Sequence, residues 1–461
     1  MEFPESPSWL SRATLAFFSA VFLCFFVIYI RPASMATASD PGYPPITPLP
    51  SFTWSTTPPL IFRPFKPKYH LTMGISDLNY SDLIPMDKTY LSRLDLRRQL
   101  LAQYPDVVRG VNIQNSDDAM HMNTNGKIGE ALCEWYAYVM GVYLPTRFPG
   151  MFRVVKPGFE SEPEKRKLGL GGKGSDERKG KAKGAMLESS VTGLKVPIDP
   201  DELMRMRSSS DSAPASEKEK TKQGLLYLLD TLGTWVDEDF LILLPAPVSV
   251  PTTTPTSPTT STTSQNPTPS QEQKYHLQAY TTYYPAGFDT RTKISRPLNE
   301  IHGPVPGYAS KLEKSMDRFF ARLEVGRAVV RVNWSVMTRG TGLFAAFGGL
   351  HDHDHSHSNP QVPPGEGDGE EDSERINPDT FDGTETFLRC ERQTLHRLPK
   401  SKALLFGFHT YTYPLSDIKE EGLGEKLATA IEGLEGGSVP GVYGYKRGPY
   451  WGEAVKRFLR S

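Results

Sequence analysis

The sequence predicts an α+β fold, with an antiparallel sheet and flanking helices. Helical periodicity dominates the first half of the chain, most clearly in Lys127–Tyr143, whose apolar residues recur along one stripe. Strand-like alternation dominates the second half, where a short basic link separates Phe387–Thr394 from Ala403–Tyr411. Helices followed by a run of expected antiparallel strands give an α+β order rather than an alternating β-α series.

The stretch Tyr275–Phe347 contains the central elements of the predicted fold. A strand over Tyr275–Tyr284 leads through a loop that contains His302 into an amphipathic helix over Tyr308–Leu323. A second strand over Ala328–Val336 alternates cleanly between the two faces of a sheet. One face receives Ala328, Val330, Val332, Trp334 and Val336, and the other receives Val329, Arg331, Asn333 and Ser335. We expect Trp334 and its neighbours to form an apolar wall beside the loop histidine.

Further helices are predicted from the same periodicity. Pro145 is expected to end the helix that begins at Lys127, because proline interrupts helical hydrogen bonding. Another helix is predicted at about 87–103, with Asp87 as its cap. In this helix, arginines such as Arg97 are expected to project away from the apolar residues. A helical run also precedes the apolar strand Phe240–Leu244. The other helical segments lie at about 87–103, at the start of 225–245 and around 451–459.

The N-terminal region carries a candidate membrane anchor. Residues 13–30 form an uncharged apolar run, which nearly spans a ~30 Å hydrocarbon core at about 1.5 Å per residue. We therefore assign residues 1–31 to a tail and a single-pass anchor, and the Pro/Ser/Thr-rich residues 32–60 to an extended stem. A cleaved signal peptide is the alternative. The anchor predicts a membrane location, with the endomembrane system favoured.

Residues 61–461 are predicted to form one domain that three low-complexity inserts interrupt. The insert at about 156–222 is rich in Lys, Glu, Gly and Ser, and the one at 248–273 is nearly all Thr, Pro, Ser and Gln. The third, at 351–382, is acidic and rich in Gly and Pro. We expect all three to be disordered, because such compositions bury too little apolar surface to offset the entropy of ordering.

Charge and cysteine content exclude several classes of protein. Lys and Arg total 52 and Asp and Glu total 53, so no net charge steers the chain towards nucleic acid. Three cysteines, Cys24, Cys133 and Cys390, give neither a disulfide framework nor a cysteine-ligated metal cluster, although one Cys133–Cys390 bridge stays possible.

No Gly-rich dinucleotide fingerprint follows a predicted strand, so electrons for any oxygen chemistry should come from a separate reductase.

Five motifs follow one another along the domain and, outside the anchor, the stem and the inserts, span most of the chain. They are MGISDLNYSDLIPMDKTYLSRLDLRRQLL near the start of the domain, EDFLILLP at 238–245, SRPLNEIHGPVPGY at 295–308, RVNW at 331–334 and CERQTLHRLPKSKALLFGFHTY at 390–411. In this order they resemble the alpha-subunit family of heme-dependent oxidative N-demethylases. IHGPVP together with ERQTLHRLP is the most specific part of this resemblance.

The resemblance implies a PAS-like domain that binds heme b and demethylates a small secondary amine. The reaction would use dioxygen and electrons from a separate reductase. This chain resembles a fungal-type, membrane-anchored member of the family, and it departs from the family pattern by its anchor, its inserts and a histidine-rich turn. The expected partners are therefore the reductase and the lipid bilayer through residues 13–30, with no nucleic acid.

A heme of this kind needs one axial donor, an apolar slot and cations for its propionates. A neutral imidazole suits the axial position when a carbonyl or carboxylate orients its second nitrogen. We choose His302, because flanking prolines and glycines restrict its backbone, although it could instead pack or cap the following helix. The other candidate donors are His276, His396 and His409. The cations assigned to the propionates or to the substrate are Arg296, Arg331 and Arg392. A structural ion pair would explain each of these arginines equally well.

Two other motifs carry less weight. The run His351–His357 alternates imidazoles in a way that suits zinc or nickel, but a flexible insert with incidental metal affinity explains it as well. Asn79 and Asn333 match the N-glycosylation pattern. Because Asn333 lies in a predicted core strand, we expect it to be unmodified.

Two alternative functions follow from other features. A heme sensor or carrier would use the same fold without turnover, because a fold does not fix a function. A type II membrane glycosyltransferase would share the short tail, the anchor and the stem, with Asp237–Asp239 as metal–nucleotide carboxylates. The lack of an alternating β-α series in the sequence argues against this second alternative.

Overall fold

The computed structural model describes residues 42–63, 65–113, 119–155, 184–208, 216–246, 274–285, 288–338 and 375–461. Side chains within 119–125 are not described. All of these residues belong to one unit, Asp40–Ser461, which is separate from a second unit, Met1–Ser39. Among them, no helix has both the length and the apolar character to cross a bilayer. The predicted anchor at 13–30 and the histidine-rich run at 351–357 lie outside the described residues.

The described elements alternate between short helices and antiparallel strands. The strands are β1 Ser76–Leu78, β2 Arg109–Val111, β3 Phe152–Val155, β4 Met186–Ser189, β5 Lys195–Pro197, β6 Asp239–Pro245, β7 Tyr275–Thr281, β8 Ala328–Met337, β9 Phe387–Arg397 and β10 Leu404–Pro414. The α-helices are α1 Tyr90–Gln103, α2 Pro105–Val108, α3 Ala119–Tyr138, α4 Leu144–Arg147, α5 Pro200–Ser208, α6 Glu217–Trp235, α7 Leu298–Ile301, α8 Tyr308–Lys311, α9 Glu313–Arg322, α10 Leu415–Glu420, α11 Gly424–Glu435, α12 Gly441–Tyr445 and α13 Gly448–Arg460.

A seven-stranded sheet with the order β1-β8-β9-β10-β6-β7-β2 forms the frame of the domain. Every neighbouring pair in it is antiparallel. A separate three-stranded sheet has the order β3-β4-β5. The combination of helices with an antiparallel sheet confirms the predicted α+β class.

The two faces of the main sheet pack against different helices. One face contributes Phe240, Ile242 and Leu405 to a large core with α1, α3 and α6. The other face contributes Leu277 and Leu395 to a second core with α7 to α9. Helices α10, α11 and α13 cover the far ends of β8 to β10 through a third core. The period-two alternation of each strand therefore decides which core a side chain enters.

The predicted strands agree with the structure, but two helix predictions need correction. The helix expected over Tyr308–Leu323 is divided into α8 and α9 at Leu312, whose φ of −118° is distorted but stays in the right-handed helical region. Pro145 does not end the preceding helix. It lies at the start of α4, after a π-helical turn over Val139–Tyr143, and at that position its missing N–H costs no hydrogen bond.

The insert predicted at 156–222 extends too far into the fold. Strands β4 and β5 and helix α5 lie inside this interval, and they bury Leu187, Val196 and Leu203. Helix α6 also begins within it, at Glu217, with Ser216 as its N-cap. Runs rich in Lys, Glu, Gly and Ser lie on either side of these elements, so the average composition of the segment concealed them.

The predicted stem at 32–60 belongs in part to the domain. Tyr43 and Ile46 are buried in the large core, and the Tyr43 ring stacks on Tyr138 with 3.6 Å between centroids. The Leu49 backbone N–H donates to the Arg147 carbonyl oxygen at 2.8 Å. This irregular segment has no repeat of apolar residues, so sequence periodicity could not reveal its packing.

The disulfide considered between Cys133 and Cys390 does not form. Both cysteines are free thiols, one on the edge of the large core and one buried in the third core. Burial raises the pKa of Cys133 to about 11 and that of Cys390 to about 12. Neither thiol is therefore disposed to act as a thiolate ligand at neutral pH.

The connection between β6 and β7 is expected to tolerate drastic shortening. These strands are antiparallel neighbours, Pro245 pairs with Tyr275, and the Ala246 N–H donates to the Lys274 carbonyl oxygen at 2.7 Å. Replacing 248–273 with a turn of about four residues should keep the domain folded and stabilise it by roughly 1–2 kcal/mol of loop entropy. Thermal unfolding of the purified protein measures this change.

A deletion of 186–197 serves as the contrasting control. It removes β4, β5 and the buried Leu187, so soluble, protease-resistant protein should be lost. If the 248–273 replacement abolishes folding while the 186–197 deletion does not, the claim that 248–273 is dispensable and 186–197 is part of the fold is contradicted.

Candidate functional site

A cavity of about 320 Å³ lies against one face of the main sheet, within the size range of small-ligand sites. Strands β6 to β10 and helices α7 to α9 contribute to its walls, together with residues 69–75 before β1. Tyr445 and Lys446, at the C-terminal end of α12, complete the lining. The cavity thus gathers side chains from both halves of the described chain.

Most of the cavity wall is apolar. Its sheet side consists of Leu241, Leu243, Leu277, Phe406 and Phe408. Its helical side includes Leu312, Met316, Phe319 and Phe320. An opening of this kind between a sheet and helices suits a flat apolar ligand that carries a few polar groups.

His302 lines this cavity at the C-terminal end of α7. Its Nδ1 lies 2.8 Å from the Leu298 carbonyl oxygen, which also accepts the His302 backbone N–H at 3.0 Å. Because a carbonyl oxygen only accepts, Nδ1 carries the proton and Nε2 keeps its lone pair. The Tyr308 ring stacks on the imidazole with 5.0 Å between centroids. These contacts fix both the tautomer and the orientation of the ring.

The surroundings of His302 keep its imidazole neutral. Burial lowers the pKa of His302, and the cations Arg331 and Lys293 lower it further, against the effect of the Leu298 hydrogen bond. A neutral imidazole is the form that coordinates metal ions. His302 therefore has the protonation state that an axial ligand requires.

The polar end of the cavity is built on β8 and β9. Arg331 and Asn333 of β8 lie opposite Gln393 and Glu391 of β9 in the sheet register, and all four line the cavity. Glu391 is already satisfied, because its Oε1 accepts from Arg389 Nη2 at 2.9 Å and its Oε2 accepts from Gln393 Nε2 at 2.9 Å. Its carboxylate is thus paired with a guanidinium while it still lines the cavity.

Lys446 reaches the same end of the cavity from the helical side. It is only 8% exposed, and its Nζ donates to Asn333 Oδ1 at 3.2 Å and to the Trp334 carbonyl oxygen. Burial lowers the pKa of Lys446 to about 8, with Glu391 opposing and Arg331 reinforcing this shift. The Lys446 ammonium thus bonds two neutral oxygens, and Glu391 and Arg331 are charged groups that act on it.

The three predicted arginines occupy different places. Arg331 lines the cavity, and its Nε has no hydrogen-bond partner within the described part of the chain. Arg296 is exposed and does not line the cavity. Arg392 is buried on the other face of the sheet, where its guanidinium donates to the carbonyl oxygens of Asp82 and Leu83. The structure therefore brings Arg331 alone, of these three, to His302.

The other candidate histidines lie outside the cavity. His276 Nδ1 is 3.0 Å from the Ser295 carbonyl oxygen. His409 is buried on the opposite face, 3.5 Å from Asp237 Oδ2 through Nε2. His396 is fully buried beside Tyr80 and Trp135, and burial lowers its pKa to about 3. None of the three shares the cavity with the apolar walls described above.

The prediction that Trp334 forms a wall of this site is wrong. Trp334 packs with the third core, whereas the alternate residues Arg331, Asn333 and Ser335 line the cavity. The prediction placed the more apolar face of β8, which contains Trp334, towards the loop histidine. A cavity that binds a ligand needs polar groups, so here the polar face of the strand points inwards.

The residues Asp237–Asp239 form a buried charge cluster on the opposite face. Arg97 Nη1 lies 2.9 Å from Asp239 Oδ1 and 3.5 Å from Asp237 Oδ1, and Arg93 also pairs with Asp237. Burial tends to raise the pKa of Asp237, but Arg93, His409 and Arg97 hold it below its usual range. The prediction that Arg97 projects away from the apolar core is therefore wrong, because buried carboxylates bind it there.

This pairing removes one of the observations that favoured a glycosyltransferase, namely free carboxylates at Asp237–Asp239. All three carboxylates of Asp237–Asp239 are at most 2% exposed. The Asp239 carboxylate also accepts the backbone N–H groups of Tyr283 and Tyr284, at 3.0 and 2.9 Å. Such carboxylates serve the fold and are not disposed to hold a metal–nucleotide pair. Within the described residues, no group of three or more His, Cys, Asp or Glu side chains has the arrangement of a metal site.

Lys446 and Glu391 are the site residues that sequence reasoning missed. Lys446 sits in a Gly- and Tyr-rich segment with no recognisable motif, and no pattern links it to β8. Glu391 stands beside Arg392 in the sequence, and this adjacency suggests a pair between the two neighbours. Side chains of adjacent strand residues point to opposite faces, however, so Glu391 pairs with Arg389 two positions away.

The fold and the cavity define an α+β protein with one oriented histidine in an apolar ligand site. The chain matches the family model described as haem-dependent oxidative N-demethylase, alpha subunit-like, over residues 74–456. Because this match covers most of the chain and all of the cavity strands, the protein belongs to that family. The resemblance drawn from the sequence motifs is thereby confirmed. A comparison with curated proteins gives no match.

The buried charge cluster should make Arg97 far more important to stability than its neighbour Arg98. Arg97→Met leaves Asp237 and Asp239 without their shared cation, and breaking such a buried pair costs about 3–5 kcal/mol. Arg98→Met removes an exposed pair with Asp95, which contributes about 0–1 kcal/mol. Urea unfolding of the two variants and the wild type measures both losses, and equal losses would contradict this account.

Proposed function

We propose that the protein binds heme b in the cavity, with His302 as axial ligand, and acts as an oxidative N-demethylase on a small amine. The observation that carries the proposal is the 2.8 Å contact between His302 Nδ1 and the Leu298 carbonyl oxygen. It leaves the Nε2 lone pair for iron in an apolar cavity. Membership of the family, whose description includes haem dependence, supports the same proposal.

The residues of the cavity fit such a cofactor. Leu241, Leu277 and Phe406 give apolar contacts for a porphyrin face. Arg331 and Lys293 line the cavity close enough to His302 to lower its pKa, so they are the cations assigned to the propionates. The unpartnered Nε of buried Arg331 is a donor that an anion would satisfy. The donor, the walls and the cations thus occur in one cavity.

The proposed reaction converts an N-methyl amine, dioxygen, two electrons and two protons into the demethylated amine, formaldehyde and water. Heme bound here would supply the activation of dioxygen. One oxygen atom enters the N-methyl C–H bond, the resulting carbinolamine releases formaldehyde, and the other oxygen atom leaves as water. The Leu298 carbonyl holds the Nδ1 proton of His302 throughout, which maintains the basicity of Nε2. The phenylalanine and leucine walls exclude water from the amine.

The electrons are proposed to come from a separate reductase, because no dinucleotide fingerprint was found in the sequence. We further propose that residues 13–30 anchor the protein as a single-pass span in an endomembrane, where a membrane-bound reductase would be a suitable partner. A heme sensor or carrier would use the same ligand and the same cavity. Amine-dependent formaldehyde release with an added reductase separates turnover from sensing.

Substitution of His302 should abolish stable heme binding while the fold survives. His302→Ala removes the axial donor from the end of a short helix and leaves both faces of the sheet intact. We expect loss of the Soret band after reconstitution with hemin, together with an unchanged far-ultraviolet circular dichroism spectrum. His276→Ala is the matched control, because His276 also bonds a carbonyl oxygen but does not line the cavity.

The outcomes of this comparison are distinct. A normal Soret band in the His302→Ala variant with a loss in the His276→Ala variant would overturn the ligand assignment. Failure of the wild-type protein to bind hemin would overturn the heme proposal as a whole.

Heme binding should also persist at mildly acidic pH. The pKa of His302 is lowered from its usual 6.5 by burial, so the imidazole stays neutral at pH values where an exposed histidine becomes protonated. Protonation competes with iron only below this lowered pKa, so half of the ligation should be lost at a pH below 6.5. A pH titration of the Soret band tests this, and half-loss near pH 6.5 or above would contradict it.

A further inference from the structure

The helices that cover the cavity carry a row of cations on their outer side. Helix α9 turns apolar residues such as Met316 and Phe320 towards the cavity. From Tyr308 to Leu323, every charged residue that is exposed is a lysine or an arginine. They are Lys311, Lys314, Arg318 and Arg322. The two acidic residues of this segment are less accessible, because Glu313 is partly buried and Asp317 is buried.

Lys314, Arg318 and Arg322 form a surface that we term the basic face. Their spacing of four residues places them on one side of α9. None of the three makes an ion pair or a side-chain hydrogen bond with another residue that the structure describes. Like charges four residues apart repel one another, and only Arg322, in the last turn, gains from the helix dipole. The stability of the helix therefore does not account for the row as a whole.

Other surface helices of the chain pair a cation with an acidic residue three positions away. Such pairs occur in α1, α6 and α13, as Asp95–Arg98, Glu217–Lys220 and Glu453–Lys456. In α9, the residue three positions after Lys314 is Asp317, which is buried. The chain has 52 basic and 53 acidic residues in all, so the basic face is a local excess of positive charge.

The basic face lies one helix thickness from the cavity. An α-helix with its side chains is about 10–12 Å across, and the inner side of α9 contributes Met316, Phe319 and Phe320 to the cavity wall. A protein docked on the basic face would thus bring its own prosthetic group near a ligand of the cavity without entering the cavity. Such access suits an electron carrier, because electrons, unlike a substrate, cross a thin wall of side chains.

We infer that the basic face is the docking surface for the acidic face of a one-electron carrier. This inference rests on the proposed function, which needs a separate electron donor. The carrier would be a flavoprotein or an iron–sulfur protein, either free or as a domain of the reductase. Two successive encounters would supply the two electrons that one demethylation consumes, and each encounter would oxidise one carrier by one electron. Opposite charges would speed the encounter and make its rate depend on salt.

The test compares the full-length protein with two triple variants. The neutral variant combines Lys314→Gln, Arg318→Gln and Arg322→Gln. The charge-conserving variant combines Lys314→Arg, Arg318→Lys and Arg322→Lys. Because the three side chains are exposed, both variants should keep the circular dichroism spectrum and the thermal unfolding of the wild type.

The probes are reduced flavodoxin and reduced plant-type ferredoxin, two acidic one-electron carriers. In stopped-flow experiments at low salt, at least one of them should reduce the hemin-loaded neutral variant about tenfold more slowly than the wild type. The charge-conserving variant should keep the wild-type rate. The difference should vanish near 1 M salt, where the Debye length is about 3 Å. Photoreduction with 5-deazariboflavin, a small neutral reductant, should be equal in all three proteins.

A matched control removes three other exposed cations, with Lys88→Gln, Lys127→Gln and Lys426→Gln. These residues lie before α1, in α3 and in α11, and none of them lines the cavity. They likewise have no ion-pair partner among the residues that the structure describes. Because the control changes the net charge by the same amount, its reduction rates should stay close to those of the wild type. A loss as large as that of the neutral variant would overturn the inference.

Other occupants of the basic face would give different results. Equal reduction rates in the wild type and the neutral variant with both carriers would overturn the inference. If the neutral variant then also loses binding to phosphatidylserine vesicles, the face contacts lipid. If replacing the acidic residues of 366–374 by their amides then speeds reduction of the wild type alone, the acidic segment of this chain occupies the face.

Failure of this inference is distinguishable from failure of the heme proposal. Binding of the oxidised carriers to the hemin-free protein, measured by calorimetry at low salt, needs no heme. If the protein takes up no hemin but the neutral variant alone loses this binding, the docking surface stands without the heme function. If hemin binds normally and neither carrier distinguishes the neutral variant from the wild type, only the docking inference is overturned.

Discussion

The in-register pairing of β8 with β9 is the constraint on which the site depends. Ala328 to Met337 pair with His396 to Phe387 without interruption. Strand alternation then fixes which side chains meet: Arg331, Asn333 and Glu391 face the cavity, and Trp334 and Arg392 do not. A shift of one residue would place Arg392 in the cavity and move Glu391 to the other face. The polar end of the cavity is therefore a consequence of backbone register.

The opposite face of the sheet supports this arrangement through a different kind of interaction. Arg93 and Arg97 of α1 bind the carboxylates that begin β6, and the Arg97 guanidinium also lies over the Tyr283 ring at 4.1 Å. These contacts join the first helix to strands at the centre of the chain. The cavity face is largely apolar, with charged groups at one end, whereas the face that packs against α1, α3 and α6 carries the ion pairs of Arg93 and Arg97. One sheet thus separates a structural charge cluster from a ligand site.

Sequence reasoning found the elements that have strong local signals. The alternation of β8, the strands β9 and β10 and the loop around His302 all follow from residue patterns that act over a few positions. Two of the failures share one physical cause, which is that long-range packing leaves no local period. Tyr43 and Ile46 bury themselves from an irregular Pro-rich segment, and Lys446 reaches Asn333 from the C-terminal helices. Neither contact has a signature in spacing or composition.

The choice of faces shows the limit of the hydrophobic rule most clearly. Burial of apolar residues correctly places β8 within the fold, but both of its faces are covered, one by the third core and one by the cavity. Polarity then marks the binding face, and the more apolar face only packs. His302 lines the cavity, and the prolines and glycines that restrict its backbone are a local property of the sequence. Its hydrogen bond to Leu298, four residues earlier, is likewise local.

A crystal structure of the hemin-loaded protein tests the central claim most directly. The account predicts iron bound to Nε2 of His302, with Nδ1 still donating to the Leu298 carbonyl and the porphyrin between the sheet and helices α7 to α9. Iron bound to His396 or His409, on the other face of the sheet, would contradict it, as would a heme held outside the cavity.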